Sequence, residues 1–113
     1  GSSMYLKAGE TVTVRALLYG MMLSSGNDAA AALALHTFGS IEAFAARMNE
    51  KARALGLRDT HFANPNGLDD DGNYATARDL AYLAAYAMKQ PAFARIAATK
   101  TASIPGRSLR LVP

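Results

Sequence analysis

The stretch Ser24-Ser25-Gly26-Asn27-Asp28-Ala29-Ala30 cuts a long apolar region in two. Before it, Leu17, Leu18, Met21 and Met22 recur at helical spacing. After it, Ala29 to Leu35 holds five alanines and two leucines. Two apolar helices meeting at a short polar corner make the chain mainly α. The corner sets a hydroxyl, Ser25, and a carboxamide, Asn27, on either side of a glycine. Both groups donate and accept hydrogen bonds, and together they exceed what one helix cap requires. The plain reading is a helix–turn–helix linker, since Ser, Gly and Asn are common turn residues. The functional reading is one wall of a cleft, with Ser25 and Asn27 as the candidate site residues. Gly26 is expected to supply the backbone freedom of the turn.

Working outward, Thr13 reads as the N-cap of a helix through about Leu23. The alanine-rich helix runs from Asn27 or Asp28 to about Thr37, with Gly39 closing it. Its small side chains lead one to expect it buried between other helices. Ser40 caps a third helix, whose stripe is Ile41, Phe44, Met48, Ala52 and Leu55 and whose end is Gly56. Residues 57–75 are a long loop dense in Asn, Asp, Gly and Pro. Thr76 with Asp79 resembles a capping box, Asp replacing the usual Glu, and opens a helix to about Lys89. That helix is expected to turn Leu80, Leu83, Ala84 and Ala87 inward. Pro91 opens a last short helix over 92–98. The alternating tail 99–112, around Pro105-Gly106, reads as a β-hairpin.

Composition narrows the function. The 113 residues suit one domain or part of one, and half are hydrophobic. The net charge of +3 is scattered rather than gathered in a stripe, which argues against a nucleic-acid partner. No run of 18 apolar residues exists to span a membrane, and no signal peptide is visible. Without cysteine there are no disulfides or thiolate metal sites. Asp69-Asp70-Asp71-Gly72-Asn73 imitates a calcium loop, but Gly67 and Arg78 stand where acidic ligands are needed. His36 and His61 lack partners at zinc-ligand spacing. No cofactor or metal is expected.

Several segments taken in order resemble one family. They are Ser2-Ser3-Met4 with Leu6-Lys7 and Gly9-Glu10; Ser25-Gly26-Asn27-Asp28-Ala29-Ala30; and Phe44 with Met48-Asn49 and Ala54-Leu55-Gly56-Leu57. Thr60-His61-Phe62, Asn64-Pro65-Asn66-Gly67-Leu68 and Thr76-Ala77-Arg78-Asp79-Leu80-Ala81 complete the set. The ordered set is similar to the serine-type D-alanyl-D-alanine carboxypeptidases, the low-molecular-mass penicillin-binding proteins, over about residues 2–110. The resemblance implies that residues 1–113 are the helical subdomain of the penicillin-binding protein/β-lactamase-like α/β fold, with short extended segments at both ends. Of the family's three motifs, S-x-x-K, S-x-N and K-T-G, only the middle one is here. The residues three places after the seven serines are Tyr5, Leu6, Asn27, Asp28, Ala43, Gly106 and Leu111, none of them lysine. Lys100-Thr101-Ala102 imitates K-T-G but ends in alanine.

By resemblance, Ser25 passes a proton between the missing lysine and the leaving D-alanine amine, and Asn27 holds a substrate amide carbonyl. The implied partners are the peptidoglycan stem peptide and β-lactams, and the implied place is outside the cytoplasmic membrane, with membrane association of the parent left open. The chain alone is expected to be inactive, because the nucleophile is absent, and to self-associate through the face its sheet would cover. Two alternatives stand beside this reading. One is a β-lactamase-like or endopeptidase relative; the other is a non-catalytic helical binding or assembly module.

Overall fold

A computed structural model describes residues 2–110, with only the backbone of Arg110. The elements are α1 (Val14–Leu23), α2 (Asn27–Phe38), α3 (Ile41–Ala54), α4 (Ala77–Met88), α5 (Pro91–Ala97), β1 (Thr101–Ile104) and β2 (Arg107–Arg110). Helix starts follow local chemistry. The hydroxyls of Thr13, Ser40 and Thr76 each accept a backbone N–H three residues on, from Ala16, Ala43 and Asp79, filling donors that a helix end leaves orphaned. Gly39 ends α2 in the left-handed region, at φ +84°. Pro91 stands in the first turn of α5, where its missing N–H costs nothing.

β1 and β2 form an antiparallel hairpin with Thr101 opposite Arg110 and Ile104 opposite Arg107. Gly106 takes φ +80°, as a Pro-Gly pair in a type II turn requires. The hairpin is thus as expected over 101–110; its proposed continuation to residue 112 lies outside the described residues.

The buried centre lies around α1. Met4, Leu17, Ala29 and Leu33 form one cluster; Tyr19, Leu23, Ile96 and Leu109 form another. Leu18 and Ile104 pack against both and join them. Each such large aliphatic side chain stabilises by about 1.5–3 kcal/mol when fully buried. The N-terminal segment, both early helices, α5 and the hairpin therefore share one core, with the Ser25 corner at its edge.

Two packing expectations need correction. In α4, Leu80 is half exposed and Ala84 exposed, with Leu83 only half-buried. Among the described residues this helix packs chiefly against α5, so its apolar stripe is largely open. In α2, Ala29, Ala30, Leu33 and Ala34 are buried, but Leu35 and Phe38 are exposed. The alanine-rich helix is covered on one side, not enclosed.

The loop 57–75 is not loose. His61 and Tyr74 pair as an antiparallel bridge, N–H to C=O in both directions, at 2.9 and 3.0 Å, and their rings stack. Asn49 of α3 reaches in like a piece of backbone. Its Oδ1 accepts from Phe62 N at 2.8 Å and its Nδ2 donates to Phe62 O at 2.9 Å. His61 Nδ1 lies 2.6 Å from the Gly72 carbonyl. A carbonyl only accepts, so Nδ1 carries the proton and Nε2 is left to accept from Asn49 Nδ2 at 3.3 Å. His61 is thereby committed to the loop's structure.

Candidate functional site

Ser25 carries the unusual backbone of the corner. Its φ is +53°, while Gly26 takes an ordinary φ of −69°. The expectation that Gly26 supplies the left-handed turn is therefore wrong. Ser24 ends α1 and the following residue turns left-handed, a place usually held by glycine. For a serine this costs on the order of 1–2 kcal/mol. Gly26 is needed for space: a Cβ there would come within 3.1 Å of the Gly20 carbonyl and of Asp28 Oδ1. The Gly20 carbonyl accepts from both Ser24 N and Gly26 N at 3.1 Å, which draws the corner onto α1.

The start of α2 is satisfied without the candidate side chains. Asn27 N–H donates to the Ser2 carbonyl at 2.9 Å, and Ala29 N–H donates to Asp28 Oδ1 at 2.9 Å. Among the described residues, neither the Ser25 hydroxyl nor the Asn27 carboxamide has a hydrogen-bond partner. Ser25 is exposed and Asn27 half-buried. A strained, exposed serine two residues from a carboxamide is left with its donor and acceptor capacity unspent.

Sequence reasoning passed over the residue that organises this corner. Asp28 reaches back to the N-terminal segment: Oδ1 accepts from Met4 N at 3.0 Å, and Oδ2 accepts from Leu6 N and from Ser3 Oγ, both at 2.9 Å. Burial opposes the charged carboxylate, but the donors from Leu6, Met4, Ser3 and Ala29 outweigh it and hold the carboxyl below its ordinary value. An Asp directly after the corner was the available signal, but its partners lie 22 to 25 positions away. Asp79 behaves similarly at α4. The Thr76 hydroxyl accepts from its N–H, but its carboxylate does not return to the cap. It accepts instead from Asp59 N at 2.9 Å and Thr60 Oγ at 2.7 Å, so only half of the expected capping box forms.

On the other side of the N-terminal segment, Arg107 of β2 donates to the Met4 and Tyr5 carbonyls and to both oxygens of Glu10. Of the hollows on the described surface, two involve α3 and the loop 57–75. One, of about 460 Å³, includes Met48, Phe62 and Tyr74; the other, of about 300 Å³, includes Phe38, Phe44 and Leu83. Ser25 and Asn27 line neither.

The chain is similar to known proteins over most of its length. The family model described as D-alanyl-D-alanine carboxypeptidase matches residues 1–110. The D-alanyl-D-alanine carboxypeptidase DacF of Bacillus subtilis is 41% identical over 99 residues, covering 88% of this chain and 25% of that protein. DacA of Escherichia coli is 50% identical over 84 residues, covering 74% of this chain and 21% of that protein. Among solved structures, penicillin binding protein 5 from Haemophilus influenzae superposes with a TM-score of 0.91 at 34% identity, over 97% of this chain and 32% of that one. The Streptomyces K15 DD-transpeptidase superposes at 0.88 with 37% identity, over all of this chain and 47% of that one. The chain thus spans between about a fifth and just over a third of the length of the curated relatives it matches. It has the helical architecture of penicillin-binding proteins, and it belongs to the D-alanyl-D-alanine carboxypeptidase family.

Proposed function

We propose that this chain supplies one wall of the active site of a serine-type D-alanyl-D-alanine carboxypeptidase, which removes the terminal D-alanine from peptidoglycan stem peptides through an acyl-enzyme. The observation that carries the reading is Ser25 itself. A non-glycine residue held at φ +53°, exposed and with its hydroxyl unengaged among the described residues, is the kind of local strain that concentrates at functional sites. In this role Ser25 relays a proton between the catalytic lysine and the departing amine. Asn27 donates from its carboxamide to a substrate carbonyl, fixing the angle of attack. Both the lysine and the nucleophilic serine belong to an S-x-x-K motif that these 113 residues do not contain.

The reading sets the stem peptide and β-lactams as ligands of the complete enzyme, and peptidoglycan outside the cytoplasm as its place of work. The test is Asn27→Ala in the full-length enzyme. A catalytic wall loses turnover by about 10²-fold or more with unchanged folding. Unaltered turnover on a D-alanyl-D-alanine peptide means the helical unit serves binding or assembly instead. Incubated alone with a fluorescent penicillin, the chain stays unlabelled; a stoichiometric covalent label overturns the assignment of the nucleophile elsewhere.

A further inference from the structure

We propose that Asp28 is the positioning residue of the Ser25–Asn27 corner: it holds the N-terminal segment in the one shape that keeps α2's first turn, and with it Ser25, in place. Its functional meaning rests on the reading of Ser25 and Asn27 given above; its structural part stands alone.

The strain sits at Tyr5, left-handed at φ +61°. In an extended strand, the N–H groups of residues i and i+2 point the same way but lie about 6–7 Å apart. One carboxylate cannot take both. Yet Met4 N and Leu6 N both donate to Asp28, at 3.0 and 2.9 Å. They converge because Tyr5, between them, is left-handed at φ +61°. Tyr5 and Ser25 are the non-glycine residues with positive φ among the described residues, and Asp28 binds on both sides of Tyr5.

Nothing about the tyrosine side chain explains the strain, since it is 79% exposed. The conformation is instead enforced by contacts. Ser3 Oγ accepts from Tyr5 N at 2.8 Å while donating to Asp28 Oδ2. Arg107 holds the Met4 and Tyr5 carbonyls at 2.8 and 2.9 Å. Among the described residues the segment has no strand partner, and two charged side chains take over its backbone groups, Asp28 the donors and Arg107 the acceptors.

The segment then returns the support. Its Ser2 carbonyl accepts the Asn27 N–H, and the Met4 side chain fills the space over Gly20, where an added Cβ would meet its sulfur. Gly20 is the residue whose carbonyl binds Gly26. The corner is therefore closed by a circuit running from Asp28 through residues 2–6 and back to Gly26 and Asn27. Each carboxylate oxygen accepts two hydrogen bonds, at least one from a backbone N–H that can only donate: Met4 N and Ala29 N on Oδ1, Ser3 Oγ and Leu6 N on Oδ2. Asparagine has the same shape but must aim an NH₂ at one of these donor pairs. Asp28→Asn is thus an isosteric change that breaks the circuit.

Amide hydrogen exchange on the 113-residue chain tests this. In Asp28→Asn, exchange at Met4, Leu6 and Asn27 rises about 10- to 100-fold, while Leu17 and Ala98 keep their protection. The strong intraresidue amide-to-α-proton NOE of a left-handed Ser25 weakens in the same variant. Ser3→Ala, which removes one donor only, accelerates the same amides by less. Acceleration spread evenly over all amides, or none at Asn27, overturns the proposal. Should Asp28→Asn fail to fold, Ser3→Ala decides alone by the same pattern. In the full-length enzyme Asp28→Asn lowers kcat as the corner's exchange rises. Full turnover in Asn27→Ala there would sink the catalytic reading while leaving the exchange result intact.

Discussion

Arg107 donates to both carboxylate oxygens of Glu10, at 2.5 and 2.6 Å, across 97 positions of sequence. The pair pins the hairpin to the turn at Gly9, and the same guanidinium holds the Met4 and Tyr5 carbonyls. Bidentate geometry of this kind is the strong form of an ion pair. Together with Asp28 it replaces a β-ladder for residues 3–6.

Acid should release this clamp. The Arg107 hydrogen bonds, then the Lys7 N–H, lower the Glu10 carboxyl from 4.5 to about 2. A carboxyl depressed on folding contributes stability that is fully present above its unfolded value and is lost as pH falls through its folded one. The expected profile is flat above about pH 5 and falls between about pH 4.5 and 2, with Asp28 adding to the fall in the same direction. Glu10→Gln flattens part of the decline in thermal melts across that range. A wild-type chain equally stable at pH 2.5 and pH 6 contradicts it.

Ser25→Gly separates strain from function. Glycine relieves a left-handed penalty of about 1–2 kcal/mol but adds about 0.5–1 kcal/mol of unfolded-state entropy. The variant is expected to melt at or slightly above the parent temperature, while the full-length enzyme carrying it loses turnover. A clear drop in melting temperature would show that the serine hydroxyl is structural.

Gly26→Ala should do the reverse. The new Cβ sits 3.1 Å from the Gly20 carbonyl and from Asp28 Oδ1, where backbone cannot yield cheaply. A loss of about 1–3 kcal/mol is expected, read from denaturant midpoints at constant m-value.

Asn49→Ala leaves the Phe62 N–H and C=O without their partners, in a half-buried setting. About 1–3 kcal/mol of destabilisation follows, with proteolytic nicking concentrated in residues 57–75. Asn49→Asp keeps the acceptor for Phe62 N but loses the donor, and should recover only part of the loss.

Leu80 and Met88 on α4 are both about half exposed, and Tyr82 more so. Apolar surface of this kind drives association, so the isolated chain is expected to form dimers or larger assemblies. Light scattering at rising concentration checks this, and Leu80→Glu should shift the population toward monomer. A wild-type chain that stays monomeric at high concentration sinks the prediction.

What the sequence determined by itself were the local features. Thr13, Ser40 and Thr76 cap helices because a hydroxyl meets an N–H three residues away, within the reach of one turn. Gly39 and Pro105-Gly106 ended elements where few other residues would do, and the corner Ser25-Gly26-Asn27 stood out because its polar groups outnumber its capping needs. Tertiary structure decided the rest. That Ser25, not Gly26, turns left-handed, and that Gly26 serves for space instead, shows only once the Gly20 carbonyl lies 3.1 Å from where a Cβ at 26 would stand. That Asp28 and Arg107 grip residues 3–6 depends on contacts spanning 22 to 103 positions. That Leu80 is exposed while Ala29 is buried depends on which faces found neighbours. Caps and turns are settled by energies within one turn of chain; clamps and exposed faces are settled only when distant segments share a surface.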